Sequence, residues 1–356
     1  MKVLIIFGWI PNYRVPVLRK LAERYDLTVG YHFRDESSDQ EPFRKLYLEN
    51  RKIGPVTWFK DFRSICRDYD VVLETCHYSY PQMFTMPFWR TGFKVVSHDV
   101  AIRAHYKLKF DLGRRKRLSD YLYRKALFSG DSVLVYMKQI LDFWNLPDAV
   151  RAKCFETHNS VDVKQITIEE GKKENLLFVG TLYKEKRVDL LVDAYAEAFR
   201  RTGSREDFPC LDIIGKGDMS ADLQKRIAAA GMEGRIRLCG AIYDEDVLAD
   251  YFSRAIACVS PNQAGLSVLK SMGYGVPFVT VKDAVTGGEV LNIENGRNGI
   301  LMDNVGELAD VLADIAGDRA KYLALGRNAK AYYDTNASLE RMVQGFADAI
   351  EYAYSH

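Results

Sequence analysis

The sequence predicts two α/β units, each a parallel sheet with helices on both faces. Short apolar runs rich in Val, Ile and Leu recur along the chain without in-and-out alternation, as expected of strands buried on both faces. Each run is followed by a helix-length amphipathic segment, the rhythm of a doubly wound sheet. That rhythm breaks once, in the polar, glycine-containing stretch 162–173, and then restarts. At 356 residues the chain has the length of two ordinary domains.

The first unit, 1–162, opens with KVLIIF (2–7) and an amphipathic segment from Val15 to Tyr25. DLTVGYHF (26–33), DVVLET (70–75), FKVVSH (93–98), DSVLVY (131–136) and KCFET (153–157) continue its strands. The second unit, 163–335, opens with NLLFVG (175–180) and a helix over about 187–200. CLDIIG (210–215), RIRLCG (235–240), AIACVS (255–260) and PFVTV (277–281) follow. Helical segments Val305–Ile315, Arg319–Tyr333 and Ser338–Tyr354 close the chain, the last within a separate C-terminal stretch, 336–356.

Composition excludes several classes. Apolar residues are 47% and charged residues 28%, which is globular rather than disordered, coiled-coil or collagenous. Fifty basic residues against 48 acidic leave a net charge of +2, so no bulk basic field for nucleic acid is expected. No run approaches the roughly 18 apolar residues of a membrane span. The apolar run at the N-terminus stops at Gly8 without a small-residue cleavage site, so it reads as a first strand rather than a signal peptide. The six cysteines lack CxxC spacing, and Cys239 and Cys258 sit in apolar runs. They read as reduced core residues of a cytoplasmic protein, with no metal site.

The candidate sites lie where strands end in glycine. Gly8 and Gly180 each end a strand, where a ligand can approach the backbone or the chain simply turns. After Gly180, Lys184, Lys186 and Arg187 gather at a helix start, against the dipole preference for anions there. A bound diphosphate would account for them, and so would solvation. IIGKGD (213–218) is a further strand and glycine turn, with Gly215 at the strand end. In SPNQAGLSVLKSMGYGVPFVTV (260–281) a helix is expected to start near Gly265. The free N–H groups of Gly265, Leu266 and Ser267 would then form an anion site, while Leu266, Leu269 and Met272 have core spacing.

Three motifs follow in order: strand-Gly-x-Leu-x-x-x-Lys, the IIGKGD turn, and Pro-x-x-x-Gly-Leu-x-x-x-x-x-Met-x-x-Gly-x-Pro. With NSVD (159–162) and ENGRNGILM (294–302), the set resembles glycosyltransferase family 4, retaining enzymes of the GT-B fold. The resemblance covers nearly the whole chain and is strongest over 155–302. It implies two Rossmann-like domains facing a cleft, with the acceptor on the first, a nucleotide-sugar donor on the second, and the last helix crossing back to the first. The donor is a co-substrate, UDP-linked more readily than GDP-linked, and neither cofactor nor metal is implied. Residue by residue, Gly8 matches the glycine near the donor phosphate, and His98 a histidine touching the transferred sugar. Lys186 matches the diphosphate lysine, and Gly265 and Leu266 match the phosphate-binding turn. Ile242 and Tyr243, with Ala241, lie where the base is held by backbone groups.

This chain departs from the family at three positions. Thr181 stands where the family has arginine, and Arg187 is the candidate replacement. Asn262 and Lys270 stand where it has two glutamates, one for the sugar and one for the ribose. Asn262 keeps the ability to bond a sugar hydroxyl. An ammonium has only donors, so Lys270 cannot accept from ribose. Glu289 either supplies the missing carboxylate or is a solvated loop residue. Front-face attack by the acceptor hydroxyl is implied, with the protein positioning the substrates and stabilising the leaving diphosphate.

The stretch 102–128 is basic and aromatic, and Leu118, Tyr121 and Leu122 form an apolar stripe. It suits an anionic membrane surface holding a lipid-linked acceptor, or a solvated helix with a core face. The reading is a retaining glycosyltransferase of surface polysaccharide or glycolipid synthesis, cytoplasmic or peripheral on the membrane. The alternatives are a nucleotide-sugar-binding subunit with little activity and another GT-B enzyme such as a sugar-nucleotide epimerase.

Overall fold

A computed structural model of the protein describes residues 1–89, 92–101, 111–113 and 115–356. The chain divides into two compact units. The described residues of the first lie within 1–160 and Leu339–His356; those of the second are Val161–Ser338.

In the first unit a seven-stranded sheet runs in the order Cys154–Glu156, Ser132–Val135, Lys94–Asp99, Val71–Thr75, Lys2–Ile6, Asp26–Tyr31, Arg44–Tyr47. All of its pairings are parallel. Strand period two sends Val3 and Ile5 to one face and Leu4 and Ile6 to the other, and all four are fully buried. On the first face lie the helices Val15–Ala22 and Leu339–Ser355, packed through Leu18, Leu21, Phe346 and Ile350. Full burial of each such side chain contributes about 1.5–3 kcal/mol. The last helix is also tied by polar contacts. Ser132 Oγ donates to the Ala349 carbonyl at 2.7 Å, and the Tyr25 hydroxyl to Glu351 at 2.9 Å. Phe59, Phe62, Met83 and Met86 cover the opposite face. The strand Arg44–Tyr47 and the antiparallel hairpin Asn50–Ile53/Val56–Phe59 extend the pattern read from sequence. The charged residues of Arg44–Tyr47 and Asn50–Ile53 hide those strands from a search for apolar runs.

In the second unit six parallel strands run in the order Ile236–Gly240, Cys210–Ile214, Asn175–Val179, Ala255–Val259, Phe278–Val281, Gly299–Met302. The chain lays strands to one side of Asn175–Val179, then returns to build the other. Such a reversal leaves a crevice beyond the carboxyl ends of the strands. Lys173, just before this first strand, is buried with its ammonium donating to the Ala255 carbonyl at 3.0 Å, and burial pushes its pKa down to about 8.

All six cysteines are free, and Cys66, Cys76, Cys154 and Cys258 are buried. Cys210 and Cys239 are half-exposed, a correction to the core reading. Cys239 lies on the strand Ile236–Gly240, at the edge of the sheet among the described residues. Among the described residues no helix is long and apolar enough to cross a membrane.

Candidate functional site

Where the strands Asn175–Val179, Cys210–Ile214 and Ile236–Gly240 end, their loops enclose a cavity of about 700 Å³. Gly180, Thr181, Gly215, Ile242 and Tyr243 share its wall with Lys216, Gly217 and Ser220. Gly215 is sterically required. A Cβ there would overlap the Gly180 carbonyl oxygen, whereas a Cβ on Gly180 would meet the movable end of the Lys186 side chain. The two strand ends therefore touch backbone to backbone, with the Lys186 ammonium laid against the first of them.

Lys186 ends a short 3-10 turn, Lys184–Lys186, with its Nζ 5.7 Å from the Phe178 ring centroid and 5.5 Å from that of Tyr183. Burial lowers its pKa, against a smaller opposing effect of the Cys258 thiol. Among the described residues no carboxylate pairs with it. A half-buried cation without a counter-charge favours an anion at the cavity edge.

The Lys186 turn is fastened to the next strand end. Tyr183 donates to Gln263 Oε1 at 2.6 Å, and Asn262 Nδ2 donates to the Glu185 carbonyl at 2.8 Å. The following helix is Ser267–Gly273, two residues later than expected from Gly265, with Leu266 as an N-cap that offers no side-chain acceptor. Among the described residues the N–H groups of Gly265 and Leu266 have no hydrogen-bond partner, so they stand open to an anion.

The remaining candidates fall elsewhere. Arg187 has φ +53° and caps the helix Val188–Arg201; it pairs with Asp189 at 3.3 Å. With Asn262 it lines a separate cavity of about 690 Å³, not the one at Gly180 and Gly215. The Lys270 ammonium is held by both carboxylate oxygens of Glu245 at 2.7 Å. Glu289 is only 6% exposed, which removes the solvated-loop reading. Its Oε2 accepts from Thr286 Oγ1 at 3.1 Å and the Gly287 N–H at 2.9 Å, so this carboxylate fastens its own turn.

In the first unit, the Gly8 carbonyl accepts from the N–H groups of His32 and Phe33, and a Cβ on Gly8 would meet only ordinary contacts. His98, on the strand Lys94–Asp99, sits between the rings of Phe7 and Phe346, with centroids 6.5 and 5.9 Å away. Burial, with a smaller effect of Arg14, pushes its pKa down to about 3, and among the described residues Nδ1 has no partner. A neutral imidazole of this kind gives and takes hydrogen bonds and is not an acid at neutral pH. On the other face of the same strand, burial pushes Asp99 up to about 6 and the fully buried Glu74, on the strand beside it, well above the carboxylate range.

Of the basic stretch, 102–110 and Arg114 lie outside the described residues. The helix Leu118–Leu127 buries Tyr123, Ala126 and Leu127 and exposes Leu118, Tyr121 and Leu122 beside Arg117 and Lys125. Among the described residues no three His, Cys, Asp or Glu side chains gather as a metal site.

Sequence reasoning missed Tyr183, Gln263 and Glu245. They act through partners 80 residues away for Tyr183 and Gln263, and 25 for Glu245 and Lys270, so no local pattern reveals them.

Comparison with known proteins bears on both units. Residues 173–318 match the family "Glycosyl transferases group 1". The GtfA subunit of UDP-N-acetylglucosamine--peptide N-acetylglucosaminyltransferase from Streptococcus gordonii is 30% identical over 143 residues, 40% of this chain. The match spans only 27% of that relative's length. An uncharacterized glycosyltransferase of Methanocaldococcus jannaschii is 22% identical over 329 residues, 89% of this chain and 88% of its own. Among solved structures, HepE of Anabaena in complex with UDP has a TM-score of 0.66 at 14% identity, covering 99% of this chain and 100% of its own. Sucrose-phosphate synthase of Thermosynechococcus elongatus has a TM-score of 0.68 at 14% identity, covering 100% and 99%. The chain thus has the GT-B fold of these glycosyltransferases, and residues 173–318 carry a glycosyl transferases group 1 domain.

Proposed function

We propose that this protein is a retaining glycosyltransferase that moves a sugar from a UDP-sugar to a saccharide or lipid-linked saccharide in surface polysaccharide or glycolipid synthesis. The observation that carries the reading is Lys186, an unpaired and partly desolvated cation at the mouth of a cavity whose walls are closed by Gly180 and Gly215. The base lies along Ala241–Tyr243, and the diphosphate lies between Lys186 and the open N–H groups of Gly265 and Leu266. These donors stabilise negative charge on the departing diphosphate, with no metal required. Asn262 offers a hydrogen bond to the transferred sugar. A preference for UDP draws on HepE and on TarM of S. aureus, both solved with UDP. Retention follows from the family resemblance.

The exposed Leu118, Tyr121 and Leu122 with Arg117 and Lys125 suit the headgroup region of an anionic membrane, where a lipid-linked acceptor resides. The test is a donor and acceptor screen with chelator present. The panel includes peptide acceptors, because of the relative named as a peptide N-acetylglucosaminyltransferase subunit. A product whose anomeric configuration, read by NMR, matches that of the donor supports the proposal. Saturable UDP binding without turnover on any acceptor favours the binding-subunit alternative, and an inverted product removes retention.

A further inference from the structure

We infer that Glu245, clamped by Lys270, is the carboxylate that takes the ribose hydroxyls of the donor nucleotide. The inference rests on the nucleotide-sugar reading above and adds a specificity residue to it. A ribose diol presents two donors to the protein, and an ionised carboxylate with free lone pairs on both oxygens is its natural acceptor. Lys270, at the position where the resembled family has a carboxylate, cannot serve.

The ion pair has a telling asymmetry. The Lys270 side chain is 13% exposed and that of Glu245 is 53% exposed. The lysine is the buried anchor and the carboxylate is the outward half. Each Glu245 oxygen takes Lys270 Nζ at 2.7 Å, and among the described residues Glu245 has no other partner. About two of its four lone-pair sites stay open.

Its place in the fold fits. Glu245 lies two residues beyond Tyr243, the last residue of the cavity wall on this segment, and begins the helix Glu245–Ser253. Lys270 lies on the helix that follows the open N–H groups of Gly265 and Leu266. The pair therefore ties the wall assigned to the base to the helix assigned to the phosphates, and ribose is the part of a nucleotide that lies between the two.

The two carboxylates that flank Glu245 in sequence, and Glu289, are already committed. Asp244 Oδ1 caps its helix, accepting from the N–H groups of Asp246 and Val247 at 2.8 and 3.1 Å. Asp246 is paired with Lys164. Glu289 is turned into its own loop.

The experiment is calorimetric binding of UDP and of 2′,3′-dideoxyuridine diphosphate to wild type, Glu245→Gln, and the charge swap Glu245→Lys with Lys270→Glu. The swap keeps the ion pair and guards against a fold defect from unpairing Lys270. Wild type is expected to prefer UDP by about tenfold to a hundredfold, the scale of hydrogen bonds to a charged group. Glu245→Gln loses most of that preference by weakening UDP alone, and the swap, which keeps the ion pair but turns an ammonium outward, loses it as well. An unchanged preference in Glu245→Gln, equal weakening of both nucleotides, or a folded swap that keeps the preference overturns the inference and leaves the donor reading intact. A wild type that binds neither nucleotide overturns both.

Discussion

Replacing Lys186 with methionine separates a ligand-binding lysine from a structural one, because the two roles predict opposite changes. Methionine keeps the aliphatic stem over Phe178 and Tyr183 and removes the charge. Without ligand, losing two ring contacts to the ammonium costs about 0.5–1 kcal/mol each. Relief from a desolvated charge with no carboxylate partner offsets that cost. The free protein should therefore stay within about 1 kcal/mol of wild type. With UDP the balance differs. A charge-assisted hydrogen bond contributes about 1.5–3 kcal/mol, so affinity should fall about tenfold to a hundredfold. In a thermal-shift titration, UDP at a hundred times the wild-type Kd stabilises by about 2.7 kcal/mol. At thirtyfold weaker affinity the same concentration yields about 0.9 kcal/mol. For a unit of this size those energies are shifts of about 5–10 °C and about 2–3 °C. A variant that melts well below wild type when free, yet keeps the full UDP shift, would refute the assignment.

Further outcomes are expected. Gly215→Ala forces a Cβ into the Gly180 carbonyl and should lower the unfolding free energy, read from urea melts, by about 2 kcal/mol or more while abolishing UDP binding; a wild-type midpoint would contradict the backbone contact. Asp99 is raised by burial from 3.8 to about 6, so its contribution is full below about pH 4 and lost as pH rises through about 6; Asp99→Asn should stabilise at pH 7, on the order of 1–2 kcal/mol, and not at pH 4, in urea melts at both. His98 runs the other way: depressed to about 3, it contributes above about pH 6.5 and loses this as pH falls toward 3, so His98→Gln should flatten the acid side of the same stability curve. Serine at Leu118, Tyr121 and Leu122 together should leave the melting temperature unchanged and remove co-sedimentation with phosphatidylserine vesicles; unaltered sedimentation would place the membrane contact elsewhere.

What was legible in the sequence follows from how each feature is encoded. Core strands are written as consecutive Val, Ile and Leu, so the central strands of both sheets could be read directly. The edge strand Arg44–Tyr47 is RKLY, half-buried at most, and carries no such signal. Gly215 was legible because the close approach of the Gly180 backbone admits only one residue type. The start of the helix Ser267–Gly273 was misplaced because Leu266 caps it without a polar side chain. Spacing alone also left open which face of Leu118–Leu127 is core. Tyr123, Ala126 and Leu127 settle that face inward, and the stripe at Leu118, Tyr121 and Leu122 faces out.

Charge partners were the least legible feature, and the two lysines of the site show why. Lys186 and Lys270 are both partly buried residues of the second unit, each close to a glycine turn, and sequence assigned both to the donor. What separates them is a carboxylate. Lys270 has Glu245 on its ammonium at 2.7 Å through both oxygens, so its charge is already met. Binding a phosphate there would first have to break a close ion pair. Lys186 has two aromatic rings and, among the described residues, no carboxylate, so a phosphate there would meet a charge that these residues leave open. On the proposed reading, the same chemistry makes one lysine a ligand contact and the other a clamp for its neighbour. Recognition of the nucleotide is then divided, with the cation offered to the diphosphate and the anion offered to the sugar hydroxyls.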